Sequence, residues 1–119
     1  MTFYDLHGKP ISYLSDGGLH IYLFNGKPVA YLYQNAVYGY NGHQLGWFEN
    51  GWVRDLNGYC VFFCEIANGS GPAKPTKGTK PAKRPRRAKP TKCARQAKSA
   101  KASKRASWSK LSGEQFFVQ

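Results

Sequence analysis

A basic side chain recurs at every third position in the C-terminal part of this 119-residue chain. From Ala73 to Arg105 the sequence divides into eleven tripeptides, and the middle residue of each is lysine or arginine. The first residue of the tripeptide is alanine, threonine or serine in all but one case. Polyproline II has three residues per turn and a rise of ~3.1 Å, so in that conformation the cations would line one edge. A row of cations of this kind predicts binding to polyanions by counterion release.

The candidate polyanion-binding residues are the eleven central cations together with three further arginines of the same segment. They are Lys74, Lys77, Lys80, Lys83, Arg84, Arg86, Arg87, Lys89, Lys92, Arg95, Lys98, Lys101, Lys104 and Arg105. No aromatic residue lies between Phe63 and Trp108, so this segment cannot stack on bases. We therefore expect binding to nucleic acid or another polyanion to follow charge density and not base sequence.

The remaining residues that could do chemistry form no recognisable motif. Asp5 and Asp55 each stand three residues before a glycine, and we interpret them as turn-stabilising residues and not as an acid/base pair. The histidines and cysteines lack the spacing of a zinc site, and an odd, sparse set of cysteines is typical of reduced thiols. These residues are His7, His20, His43, Cys60, Cys64 and Cys93. We expect no catalytic residue, no metal, no cofactor and no enzymatic activity.

Charge and aromatic content divide the chain into an N-terminal body and a cationic tail. Residues 1–70 carry three basic and five acidic side chains, whereas residues 71–119 carry fifteen basic and one acidic. Fifteen of the eighteen aromatic residues precede residue 71. This division predicts a β-repeat domain at 1–70, a disordered Lys/Ala/Pro linker at 71–106 and a separate C-terminal segment at 107–119.

The body is a fourfold repeat marked by a glycine that follows a turn-forming residue. These four tip glycines are Gly8, Gly26, Gly42 and Gly58. Apolar runs flank each of them, which favours a hairpin with a type I′ turn. The links between repeats, at 15–18, 34–35, 49–51 and 67–70, also have turn composition. The sequence therefore predicts an all-β fold of eight short strands in four hairpins, arranged with pseudo-fourfold symmetry.

Columns of similar residues appear when the repeats are aligned on the tip glycines. The fifth residue after the glycine is aromatic in every repeat, and the fourth before it is tyrosine except at Arg54. A two-residue turn pairs the fourth residue before the glycine with the third after it. We therefore predict that positions −4, −2, +3 and +5 share one face of the sheet and form the core.

The repeat and the end of the chain resemble a known family. The unit Ile21-Tyr-Leu-Phe-Asn-Gly-Lys-Pro-Val-Ala-Tyr-Leu32, the Lys/Pro-rich stretch and the closing Trp108-Ser-Lys-Leu-Ser-Gly-Glu-Gln-Phe-Phe117 are similar to the small bacterial four-fold beta flower family. This resemblance implies the fold and no enzymatic activity. A looser resemblance is to Trp-Gly or Tyr-Asn-Gly β-repeat surface proteins.

The C-terminal segment, residues 107–119, is apolar, in contrast to the tail before it. Trp108, Leu111, Phe116 and Phe117 are the candidate docking residues. An exposed tryptophan and two phenylalanines at the end of a polar tail indicate a docking site. We expect the segment to fold back on the β-domain and complete its core; the alternative is docking on another molecule by strand addition.

The function that these features favour is that of a non-enzymatic adaptor with a polyanion-binding tail. One alternative is a structural or self-assembling β-module that forms a homo-oligomer. Its tail would be a spacer to the docked C-terminal peptide. The other is a small bacterial effector acting at nucleic acid or the envelope. No apolar run approaches the ~20 residues that a membrane span needs, and reduced cysteines favour a cytoplasmic location.

Overall fold

The computed structural model describes residues 1–15 and 17–119, so Asp16 of the first link between hairpins lies outside the described residues. The described residues form eight strands and one short helix. The strands are β1 (Thr2–Tyr4), β2 (Pro10–Leu14), β3 (His20–Leu23), β4 (Pro28–Tyr33), β5 (Ala36–Tyr38), β6 (Gln44–Glu49), β7 (Trp52–Asp55) and β8 (Cys60–Phe63). The helix is α1 (Gly113–Phe117).

The eight strands form a closed antiparallel barrel in which each strand pairs with its neighbours in sequence. The predicted all-β fold of four hairpins is therefore confirmed. Closure depends on the pairing of β1 with β8, where Tyr4 lies opposite Phe63. A closed ring leaves no sheet edge, which allows strands of three to six residues to form a stable sheet.

The turns at the tip glycines differ from the predicted type I′ turns. In the first hairpin the Gly8 amide donates to the Asp5 carbonyl at 2.9 Å, which closes a four-residue turn, and Gly8 itself has a φ of +77°. Asn25, Asn41 and Asn57 are absent from the residues with positive φ, whereas a type I′ turn needs positive φ at both central positions. Two successive residues with positive φ occur instead at Gln34–Asn35 and Asn50–Gly51, at the opposite end of the barrel.

A β-bulge in every hairpin corrects the predicted face assignment. Phe3 pairs with Ser12 but Tyr4 pairs with Pro10, so Ile11 is the extra residue, and the other three hairpins repeat this shift. The bulge brings the third and fourth residues after the tip glycine to the same side of the sheet. The central core therefore contains the fifth residue before each tip glycine (position −5), together with residues at positions +3 and +4. Phe3, Val61 and Phe62 are examples of the three positions.

The aromatic columns at −4 and +5, and the −2 aromatics Phe24 and Tyr40, lie in three separate clusters outside the central core. The prediction that positions −4, −2, +3 and +5 form the core is therefore wrong for positions −4, −2 and +5. Tyr13 stacks on Tyr22 in one such cluster, with ring centroids 5.9 Å apart, and Tyr31 stacks on Tyr38 in another at the same distance. These rings are nevertheless buried. Something other than the barrel interior must cover them.

The C-terminal segment closes the barrel at the end where the tip glycines lie. Trp108 forms a parallel bridge with Cys60 and packs against the rings of Trp52 and Phe63. Beyond it, Ser112 begins α1 with a capping box, in which its hydroxyl accepts from the Gln115 amide. The helix places its Phe116 in the central core, where it is fully buried, while Leu111 and Phe117 pack against that core from its rim.

Candidate polyanion-binding site

Residues 71–106, here called the belt, run around the outside of the barrel past all four hairpins. The belt contains no helix or strand. At each hairpin a belt amide donates to the carbonyl of the tip glycine, at 2.8–3.1 Å. The four pairs are Gly78 with Gly8, Arg87 with Gly26, Gln96 with Gly42, and Arg105 with Gly58. The same backbone contact is therefore made four times, at intervals of nine belt residues.

The tip glycines are required for this contact because the belt lies directly against their α-carbons. A β-carbon added to any of them would lie 2.0–2.1 Å from a belt carbonyl oxygen, that of Thr76, Pro85, Ala94 or Ser103. These four residues are also nine apart, so three tripeptides span one hairpin. Nine residues at polyproline II rise cover roughly 28 Å, about a quarter of the perimeter of a body 35 Å across. The tripeptide period thus matches the fourfold period of the barrel.

Belt cations cover the aromatic columns that lie outside the barrel. Lys83, Lys92 and Lys101 lie 4.4, 4.3 and 5.0 Å from the ring centroids of the +5 residues Tyr13, Tyr31 and Trp47. The equivalent Lys74 donates to the Ala67 carbonyl at 2.7 Å instead. Cation–π contacts of this kind contribute ~0.5–1 kcal/mol each at exposed sites. These contacts, together with the packing of Trp108 on Phe63, explain how the +5 aromatic column is buried without entering the barrel.

Arginines of the belt add further ring contacts, and acidic residues of the barrel hold three lysines. Arg95 lies 3.7 Å from the centroid of Tyr33, and Arg86 lies 5.0 Å from that of Tyr22. Three ion pairs are present in the described part of the chain: Lys80 with Glu65 at 3.0 Å, and Lys101 and Lys104 with Glu49 at 2.5 and 3.7 Å. The hydrogen bond from Lys101 holds the pKa of Glu49 below its ordinary value.

The structure places the belt along the barrel, with contacts that its composition does not indicate. Composition measures only what a segment can bury within itself. The belt instead uses partners on the barrel, which are tip carbonyls, aromatic rings and carboxylates. All fourteen candidate polyanion-binding residues are placed along it, and all remain exposed. Their charged groups form a ring around the barrel and are not gathered at one point.

Arg54 is the important residue that sequence reasoning missed. It is 5 % exposed and replaces the tyrosine of the −4 column. Its Nη1 donates to the carbonyls of Gly58 and Arg105 at 2.8 and 2.9 Å, and its Nη2 donates to that of Ser70. Ser70 precedes the belt and Arg105 lies at its end, so one guanidinium joins both ends of the circuit. The signal was visible as the single departure from tyrosine in that column.

Replacing Arg54 by methionine is expected to lower the free energy of unfolding by about 2–3 kcal/mol, since hydrogen bonds to charged groups contribute more than neutral ones. Chemical denaturation of the full chain measures this change. Arg105→Met is the matched control, because it keeps the Arg105 carbonyl that Arg54 uses and removes only a side chain over Tyr59. Equal losses in the two variants would contradict the joining role of Arg54.

The other residues considered for chemistry have structural surroundings. Oδ1 of Asp5 accepts from the amides of His7 and Lys9, both at 2.9 Å, and Asp55 does the same in the fourth hairpin. The three cysteines are free thiols. Burial raises the pKa of Cys60 to about 11, which disfavours its thiolate. No group of three or more potential metal ligands is present in the described ranges.

The pKa of His20 depends on the positive charge of the belt. Its Nδ1 lies 2.8 Å from the Tyr40 hydroxyl. Burial, followed by the positive charges of Lys89 and Lys92, lowers the pKa of His20 from its ordinary value. An anion that neutralises those lysines would therefore raise this pKa.

These features define a closed eight-stranded barrel of four hairpins, encircled by its own C-terminal belt and plugged by a terminal helix. The 4-fold beta flower protein family matches residues 1–117, and the chain belongs to this family. No curated protein and no solved structure matches the chain. Among the described residues, no helix has the length and apolar character needed to cross a membrane.

Proposed function

We propose that this protein is a non-enzymatic nucleic-acid-binding protein whose belt contacts the phosphate backbone without regard to base sequence. One observation carries the proposal. The fourteen belt cations are all exposed, and they are arranged around a body of 35 × 35 × 23 Å. With a formal net charge of +12, such a body attracts polyanions.

The arrangement of the belt favours contact with phosphates and not with bases. The +5 rings Tyr13, Tyr31 and Trp47 are buried under belt lysines, and Trp108 packs on the fourth, Phe63, so these rings are not available to stack on bases. The belt itself contributes charged and small side chains. Because its backbone is held at the four tips, the belt loses less backbone entropy on binding than a free chain would.

Binding of the full chain to a duplex DNA of about 20 base pairs tests the proposal when it is measured across a range of salt concentrations. If about seven cations engage phosphates, the slope of log K against log salt is expected to be near −6. The pKa of His20, followed by NMR, is expected to rise on binding because phosphates offset the charges of Lys89 and Lys92. Duplexes of unrelated sequence serve as the control and should bind equally.

Absence of binding at low salt, or binding that salt does not weaken, would contradict the proposal. The belt would then serve as a structural spacer that carries the C-terminal segment to its docking site. Binding that depends strongly on the duplex sequence would contradict only its non-specific character.

A further inference from the structure

The four hairpin tips share one backbone arrangement but differ in charge. Each tip has three equivalent side-chain positions: the residue after the tip glycine, the belt residue whose amide binds the tip glycine, and the belt residue three before that one. At the second tip these are Lys27, Arg87 and Arg84, all basic. The equivalents are Lys9, Gly78 and Pro75 at the first tip, His43, Gln96 and Cys93 at the third, and Tyr59, Arg105 and Ala102 at the fourth. The second tip is therefore the one with a cation at every position.

The backbone at the second tip holds both arginines in place. The Arg84 amide donates to the Phe24 carbonyl and the Arg87 amide to the Gly26 carbonyl, each at 2.9 Å. Two anchors three residues apart fix the start of both side chains on the same hairpin. Lys27 follows Gly26 directly, and all three side chains are exposed. A planar guanidinium binds a phosphate through two parallel hydrogen bonds, which makes such a fixed pair suited to a phosphodiester backbone.

The barrel also neutralises its belt unevenly. Glu65 and Glu49 pair with Lys80, Lys101 and Lys104, in sectors away from the second tip. Arg105, the equivalent of Arg87 at the fourth tip, lies over the ring of Tyr59. Among the described residues, no ion pair involves Lys27, Arg84 or Arg87. Glu114 lines the same cleft as Lys27 without a contact short enough to be an ion pair.

We propose that the second tip, formed by Lys27, Arg84 and Arg87, is the primary phosphate-binding site for nucleic acid, and that the remaining belt cations supply the background attraction. This inference rests on the proposed function and narrows it from a uniform ring to one sector. In this arrangement the phosphodiester backbone of the bound nucleic acid crosses the tip of the β3–β4 hairpin.

Two double variants of the full chain test the inference with the same labelled duplex DNA. R84Q/R87Q removes two cations from the second tip, and K9Q/K77Q removes two exposed cations from the first. Neither pair has a side-chain hydrogen bond or ion pair in the described part of the chain, and both keep the backbone contacts, so equal melting temperatures confirm that both fold. R84Q/R87Q is expected to weaken binding roughly tenfold and to reduce the salt slope by about 2. K9Q/K77Q is expected to weaken it about twofold or less, as for a distant charge.

The outcomes distinguish failure of the second-tip site from failure of the proposed nucleic-acid binding. Equal losses in the two double variants, while the unmodified chain binds, would overturn the second-tip site and leave a uniformly binding belt. Failure of the unmodified chain to bind duplex DNA would overturn both proposals. R84K/R87K, which keeps the charge and loses the two-point hydrogen bonding, is expected to bind with intermediate affinity. Binding as strong as that of the unmodified chain would overturn the role assigned to the guanidinium groups.

Discussion

Replacing Phe116 by alanine is expected to lower the free energy of unfolding by about 3–5 kcal/mol, the range found for phenylalanine truncation in protein cores. Phe116 is fully buried, and its ring lies 5.7 Å from that of Phe62 and 5.3 Å from that of Phe117. A β-carbon on Gly46 would lie 3.1 Å from the Phe116 ring, so the barrel wall is shaped around this side chain. The remaining atoms cannot collapse into the space without moving strands.

Truncation of Phe116 is expected to destabilise the belt as well as α1. The belt has no core of its own, and α1 anchors its far end in the barrel. We therefore expect belt amides such as that of Gln96 to exchange with solvent faster in Phe116→Ala, as measured by hydrogen exchange. Val118→Ala is the matched control, because Val118 is 78 % exposed and its truncation should change stability by less than about 0.5 kcal/mol. A loss below about 1 kcal/mol in Phe116→Ala would show that α1 does not close the barrel.

Replacing Gly26 by alanine is expected to lower the free energy of unfolding by about 3 kcal/mol, from two separate causes. The first is the φ of +93°, at which an alanine costs roughly 1–2 kcal/mol. The second is the Pro85 carbonyl oxygen, which would lie 2.0 Å from the new β-carbon. Because that atom is backbone, the belt must leave the second tip to accommodate it.

Gly18→Ala separates these two causes. Gly18 also has a positive φ, +69°, but no atom of the described residues lies within 4 Å of a β-carbon added there. This control carries the conformational cost alone, and chemical denaturation of both variants measures the difference. Faster amide exchange at Arg87 in Gly26→Ala, and not in Gly18→Ala, would show that the belt has been displaced. Similar stability in the two variants would mean that the belt contact contributes nothing.

The strands were predictable because their signal is local. Glycine after a turn-forming residue, apolar runs on either side and a repeat of about sixteen residues are sufficient to place all four hairpins. The all-β fold and the family resemblance, both confirmed, rest on these features. The strict tripeptide period of the basic residues is likewise visible without any structure, while their role in binding stays a prediction.

The face assignment failed because a bulge leaves no local signature in this sequence. Ile11 and its equivalents look like ordinary strand residues, but each is the extra residue that shifts the register by one. The role of Arg54 was likewise hidden, because two of its three carbonyl partners, those of Ser70 and Arg105, lie outside its own hairpin. The second tip could have been singled out only after the nine-residue register between belt and barrel was known.

The sequence by itself determined the repeat, the strands, the position of the cations and the apolar character of the terminal segment, because each depends on neighbours along the chain. Tertiary structure alone decided that the ring closes, that the aromatic columns face outward and that the belt covers them. These outcomes depend on the match between the belt period and the hairpin period, since nine belt residues span one hairpin. They also depend on carbonyl and ring partners that become neighbours only when the barrel has formed.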